Sequence, residues 1–480
     1  MVTRRVRAPH FDFAALRREL ELPDSFPPAA QREAEDAAAA PLPDRPDRTD
    51  IPFVTIDPVG SRDLDQAMCL TRRPGGYRVH YAIADVAAFV RPGGALEEET
   101  WRRGQTVYLP DGNVPLHPVA LSEGAASLLP ERTRAAVLWT IDLDADGGTT
   151  GVTLERALVR SREQLDYGTV QGQFAAGTAA EPIALLPEIG ALLTERGLDR
   201  GAINLPLPEQ EIEPDGDGYT LVLRAPLPAE QHNAQISLLT GAAAAGIMLA
   251  GRVGLLRTMP SPDPEAVERL RAAAHALGIS WPDGAPVGRV IAGVDPADPR
   301  GAAFLDQAAE LMRGAGYTAF DGAPPDQAGH GGVGAPYAHV TAPLRRLADR
   351  YATEVCLALT AGVSVPQWAR EALPKLPKTM TGTDRVAGAA ARGAVDLTEA
   401  VLLRDRVGET FDAGVTDVDG PRRTAPAPAA PNGREPGGTV ALDDPPVRAR
   451  CTGDLPLGER VQVTLVTADP ARRTVLFTRK

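Results

Sequence analysis

The segment Thr55-Ile-Asp57-Pro-Val-Gly-Ser-Arg-Asp63-Leu-Asp65-Gln66 constrains this chain more than any other. An apolar strand delivers one carboxylate, a Pro/Gly turn reverses the chain, and two more carboxylates follow at alternate positions. Acids crowded on one tight loop repel one another unless cations stand between them. The loop therefore has two readings, a solvated acidic turn or a site for hard divalent cations, which take oxygen ligands. Two such ions roughly 3.5–4 Å apart can hold the attacking and leaving oxygens of an in-line phosphoryl displacement. Apolar strands on both sides put the base of the loop in a core and favour the metal site.

Strand patterns surround this loop. Phe53-Val-Thr-Ile-Asp ends on an acid, and Tyr77-Arg-Val-His-Tyr-Ala-Ile-Ala-Asp-Val and Ala135-Ala-Val-Leu-Trp-Thr-Ile-Asp-Leu alternate as strands do. Helical periodicity follows at 233–255, 264–277, 304–314 and 343–359. From about Val407 short strands return, and several of them in so little sequence suit a small OB-like barrel. The fold class is α+β. The expected divisions are an N-terminal extension and linker (1–50, with a helical stretch at 11–22), a catalytic domain (51–405) and an OB-like domain (406–480) with a flexible Pro/Ala/Gly loop at 421–437.

A chain of 480 residues is long enough for two or three domains. Its net charge of −13 argues against a protein that coats duplex DNA, but net charge does not describe a buried groove. No apolar run approaches the roughly 20 residues of a bilayer span. The scattered Cys69, Cys356 and Cys451 fit neither a disulfide framework nor a cysteine-ligated zinc, and the expected location is cytoplasmic.

Three further motifs matter. Asp142-Leu-Asp144-Ala-Asp146-Gly147 imitates the start of a calcium loop, but Thr153 replaces the required twelfth-position acid and the flanks read as strands, so it is a hairpin turn. In Tyr337-Ala-His339-Val-Thr341-Ala-Pro343-Leu-Arg345-Arg346, Pro343 is placed to open a helix. Arg345 and Arg346 in its first turn would then be bidentate phosphate donors, or else partners of Asp349. Tyr108, before Pro110 and Gly112, could stack on a base or belong to the core.

In this order, the segments Ile56-Asp57, Asp63-Leu-Asp65-Gln66, Ile83-Ala-Asp85, Tyr108-Leu-Pro110, Asp144-Ala-Asp-Gly147 and Thr341-Ala-Pro-Leu-Arg-Arg346 resemble the catalytic (RNB) domain of the ribonuclease II family. The match runs from about Ile51 to Leu359. The resemblance implies a metal-dependent, processive 3′→5′ exoribonuclease that hydrolyses single-stranded RNA to nucleoside 5′-monophosphates. Magnesium is the implied ion, with manganese as the alternative. Asp57, Asp63, Asp65 and Gln66 are the implied metal set, and Asp65, Asp63 and Arg345 the catalytic residues. Arg345 and Arg346 would meet phosphate, Tyr108 the terminal nucleotide and Tyr167 the ribose. No membrane or obligate protein partner is implied.

The sequence departs from that family in four places. Gln66 stands where a fourth aspartate is expected, which changes the charge and the ion preference of the site. Leu205 replaces the aromatic opposite the family's tyrosine, and Ala234-Gln235 replaces a ribose-sensing acidic pair before a helix. There is no room before Ile51 for two cold-shock barrels, so weaker and more salt-sensitive RNA binding is expected. These departures keep open a second reading, an RNA-binding protein that retains the fold without cleavage. A phosphodiesterase acting on small nucleotides would have no need of a C-terminal OB domain.

Overall fold

The computed structural model describes residues 4–419 and 435–479. The acidic loop lies on a closed five-stranded barrel of Phe53–Asp57, Gln66–Arg73, Gly76–Ala84, Thr133–Asp144 and Thr149–Asp166. Neighbours are antiparallel except where the first and last strands close the barrel in parallel, with Asp57 opposite Asp166. The period of two sorts the side chains onto two faces. Val54, Ile56, Met68, Tyr81, Ile83 and Trp139 pack against the helices that follow. Ala67, Ala82, Ala84, Ala136 and Leu138 share a second core with Ala34 and Leu96. With both faces buried, the strands read as almost continuous apolar runs.

A second closed five-stranded barrel ends the chain: Thr410–Val418, Gly437–Leu442, Arg448–Thr452, Arg460–Asp469 and Thr474–Thr478. The expected α+β architecture with an OB-like C-terminal barrel is what the chain adopts. Of the loop expected at 421–437, residues 421–434 lie outside the described residues, and Gly437 already pairs with Thr452. Asp144 to Gly148 form the hairpin turn read from the calcium-like motif, with Gly147 at φ +77°.

Several element boundaries differ from the sequence reading. Residues read as linker form the helix Pro28–Ala39, where proline opens an alanine-rich run. Arg4–Ala8 adds an edge strand to Gly218–Arg224, so the N-terminal segment is built into the body. The helix expected at 233–255 spans Pro228–Gly251, and Val253–Thr258 is a strand paired with Gly316–Asp321. Periodicity alone does not separate a helix end from a buried strand in such an apolar run. By length and composition, Pro228–Gly251 could also cross a membrane, which corrects the expectation that no run is long enough. Here Ile236, Ala244, Ala245 and Met248 of that helix are buried in the main core. The helix expected at 304–314 begins earlier, at Pro299, where the Asp298 side chain caps the Gly301 N–H.

The most consequential shift concerns Pro343. The helix begins at Leu347 and runs to Thr360, so Pro343, Arg345 and Arg346 precede it. No helix dipole therefore draws phosphate to Arg345, contrary to the expectation from Pro343. Asp349 fills that helix start instead, accepting the Ala342 N–H at 2.7 Å and the Arg346 guanidinium.

Candidate active site

The acidic loop is not a solvated turn. Ser61 N–H bonds Pro58 O, Gln164 Nε2 bonds Ser61 O at 2.7 Å, and Ser127 Oγ donates to Arg62 O while accepting from Leu64 N–H. Gly60, at φ +82°, makes the reversal. Leu64 is fully buried between Asp63 and Asp65, anchoring the loop from below.

Each carboxylate has a different environment. Asp65 is 4% exposed; its Oδ1 accepts the Leu344 N–H at 2.7 Å and its Oδ2 lies 3.4 Å from Arg345 Nε. Burial pushes its pKa up, against the opposing pull of Arg345 and the Leu344 N–H. Asp63 accepts the Tyr108 hydroxyl at 2.8 Å. Burial, reinforced by the Asp63 charge, keeps that phenol protonated as a donor. Asp57, at the strand end, has a buried Oδ2 without a hydrogen-bond partner. Burial lifts its pKa to about 6, the Thr55 hydroxyl and Arg345 opposing and Asp63 reinforcing the rise.

The segment from Thr341 to Arg346 is fixed from several directions. Thr341 O accepts Gln66 Nε2 at 2.6 Å, Leu344 O accepts His117 Nδ1 at 2.9 Å, and Arg345 O accepts Thr106 N–H at 2.9 Å. These bonds consume the backbone groups that a helix starting at Pro343 would have used. They leave the half-exposed Arg345 side chain over Asp65. Arg346 instead forms an ion pair with the fully buried Asp349, the alternative held open for it.

Tyr167 opens the helix Tyr167–Ala176, and its hydroxyl accepts Asn233 Nδ2 at 3.2 Å. Burial and then the nearby Asp57 charge raise its pKa. Asn233 thus faces the site, whereas Ala234 is exposed on a helix that began at Pro228. Leu205 packs toward Ile203 and Phe304 in another core cluster. Gln66 is turned inward, its oxygen accepting the Tyr81 hydroxyl. Tyr81 and Asn233 escaped the sequence reading. Tyr81 is legible only once Met68 is known to pair with it, which puts it on the same face as Gln66.

Among the described residues, no group of three or more His, Cys, Asp and Glu side chains stands together closely enough to hold a metal ion. The expected metal set is therefore not gathered into one cluster, since Asp65 faces Leu344 and Arg345 while Asp63 faces Tyr108. One feature does fit a cation. The orphaned, buried Asp57 oxygen lies beside a second acid, Asp63, and a buried acceptor without a donor is costly unless a positive charge meets it.

Acids from one end of the barrel thus meet an arginine, a tyrosine and an asparagine carried by distant segments. Residues 45–360 match the RNB domain, and the chain belongs to that family. Residues 409–480 match the RNase II-type exonuclease C-terminal S1 domain. Ribonuclease R of Escherichia coli (strain K12) is 27% identical over 434 residues, covering 83% of this chain and 52% of that protein. The chain thus spans about half the length of such curated relatives. In fold it is similar to Mycoplasma genitalium RNase R in complex with ribose methylated single-stranded RNA, at TM-score 0.78 and 19% identity, over 98% of this chain and 76% of that one. It is also similar to yeast Ssd1, a pseudonuclease, at TM-score 0.68 and 17% identity, over 90% of this chain and 52% of that one.

Proposed function

We propose that this protein is a divalent-metal-dependent 3′→5′ exoribonuclease that hydrolyses single-stranded RNA to nucleoside 5′-monophosphates. The observation that carries this reading is the meeting of Asp65 with the Leu344 N–H and Arg345 across some 280 residues of chain. Such long-range convergence puts a cation beside a buried carboxylate at the mouth of an acidic loop, which suits a phosphoryl group. Membership of the RNB family supports the same class of reaction.

In this reading Asp57 and Asp63 would hold the divalent ion, magnesium or manganese. Gln66, whose amide is bonded to Tyr81 and Thr341, would add no charge to that set. Such an ion, when bound, supplies charge neutralisation at the phosphoryl oxygens and acidifies an attacking water. Arg345 neutralises the scissile phosphate with a guanidinium that Asp65 orients. Tyr108 offers its half-exposed ring to the terminal nucleotide, and Tyr167 with Asn233 faces the ribose. The substrate is single-stranded RNA and the location cytoplasmic.

The test uses 5′-labelled single-stranded RNA with magnesium or manganese. Stepwise shortening from the 3′ end, abolished by Asp65→Asn, is expected. RNA binding without shortening under either ion would instead support a binding protein that has lost cleavage, a reading favoured by Gln66 and by the dispersed carboxylates.

A further inference from the structure

Tyr108 lies in a loop that residues from outside the matched domain hold in place. Val107 and Val114 exchange backbone hydrogen bonds at 3.0 and 2.8 Å, closing the loop, and Gly112 turns it at φ +132°. Arg17, in the short helix Ala14–Glu19, grips it with a two-point fork, Nη2 to Asp111 Oδ1 at 2.7 Å and Nε to Asp111 Oδ2 at 3.2 Å. Nη2 also donates to Gly112 O at 2.6 Å.

The same strap is fastened below. Phe13 and Leu16 are buried with Val107, Leu109 and Val114. At its far end Arg103 donates to both Ser25 O at 2.8 Å and Pro115 O at 3.1 Å, its guanidinium 3.6 Å from the Phe26 ring centroid. Residues 13–26 therefore clamp both ends of the segment whose exposed member, Tyr108, donates to Asp63.

We propose that Arg17 is a positioning residue for the active site. Its fork sets the place of the Asp111–Gly112 turn, and through it the Tyr108 ring and the hydroxyl that orients Asp63. A fork with three hydrogen bonds fixes direction as well as distance, which a lysine point charge does not do. The inference rests on the proposed exoribonuclease reading for its kinetic consequence, although the mechanical link does not depend on it.

The test has two arms on the full chain. In the first, hydrogen exchange is followed in Arg17→Met, which keeps the aliphatic stem, and in Asp111→Asn. Exchange of the Val107, Gly112 and Val114 amides is expected to rise about tenfold, with the barrel strands unchanged. Unchanged exchange in the loop overturns the proposal, as does an equal rise throughout the barrel, because Arg17 would then be a general stabiliser. In the second arm, Arg17→Met is expected to lower kcat/KM on single-stranded RNA about tenfold, Arg17→Lys restoring little, and less than about twofold when Tyr108→Ala, which removes both ring and hydroxyl, is already present. Equal losses in both backgrounds would separate Arg17 from Tyr108 and overturn the proposal. A wild type that shortens no RNA refutes the function reading, and the exchange arm still decides the role of Arg17.

Discussion

Tyr81 donates its buried hydroxyl to the Gln66 amide oxygen, while the Gln66 nitrogen donates to Thr341 O at 2.6 Å. The Thr341 hydroxyl in turn shares a hydrogen bond with Ser237 at 2.7 Å. A neutral amide is the only common side chain of this length that satisfies a donor and an acceptor at once. Gln66 therefore ties the acidic loop's strand to the Thr341–Arg346 segment, a job that a carboxylate facing a carbonyl oxygen could not do.

Gln66→Asp is thus expected to destabilise the metal-free protein by about 1–3 kcal/mol, since the Thr341 carbonyl loses its donor and a charge enters a half-buried place. Manganese should recover that loss and lower the ion concentration needed for activity. Melting temperatures with and without manganese check both halves. An equal manganese response in the variant and the wild type would mean that Gln66 is remote from the ion.

The acidic loop and its strands are legible because Asp57 ends an apolar strand and Asp63 and Asp65 flank the buried Leu64 after the turn. What they touch was not. Leu344 supplies a backbone N–H, which no side-chain pattern encodes, and Tyr81 reaches Gln66 only through a cross-strand register. Proline before a helical period pointed to a start at Pro343, yet long-range bonds to Gln66, His117 and Thr106 hold those residues extended until Leu347. Closure of the first sheet into a barrel likewise depends on the parallel pairing of Phe53–Asp57 with Thr149–Asp166, two strands nearly a hundred residues apart. The helix Pro28–Ala39 was hidden by the Pro- and Asp-rich flanks of its alanine run.

If the proposed metal-dependent reading holds, Asp57 sets the acid limit of metal binding. Its carboxyl titrates near pH 6 because of burial, so above that pH it is free to meet a cation. As pH falls through 6 a proton competes for the same oxygen, and affinity should drop by up to about tenfold per pH unit. Manganese titrations followed by thermal shift between pH 5 and 8 should show this break, and Asp57→Asn should remove it. A wild-type response flat across that range would contradict the assignment.

Arg345→Ala should lower turnover by about 10²-fold, in the range seen when one preorganised charge-stabilising donor is removed. RNA affinity should change by no more than about threefold, because in the proposed reading Arg345 would be one contact among several on the strand. Arg345→Lys should recover only part of the loss, since Asp65 orients the guanidinium through Nε. Single-turnover kinetics beside equilibrium RNA binding separate the two effects. Equal losses in both would make Arg345 a binding residue only.

Glu399 ties the last barrel to the body. In the helix Leu376–Leu403 it is 3% exposed, and its Oε1 accepts Gln210 Nε2 at 2.7 Å and the Arg448 N–H at 2.8 Å. Burial raises its pKa from 4.5 to about 7, the Arg448 N–H and Gln210 opposing the rise and Asp396 adding to it. A carboxyl raised in the folded state favours folding fully below about pH 4.5, and that contribution is lost as pH rises through about 7. At pH 8 the ionised group should cost on the order of 3 kcal/mol relative to a neutral acceptor of the same shape. Glu399→Gln keeps the accepting oxygen and cannot ionise. The variant should therefore match the wild type in urea unfolding near pH 4.5 and exceed its stability at pH 8, the difference opening between those limits. Parallel stability curves across that window would show that Glu399 titrates normally and that the junction does not respond to its charge.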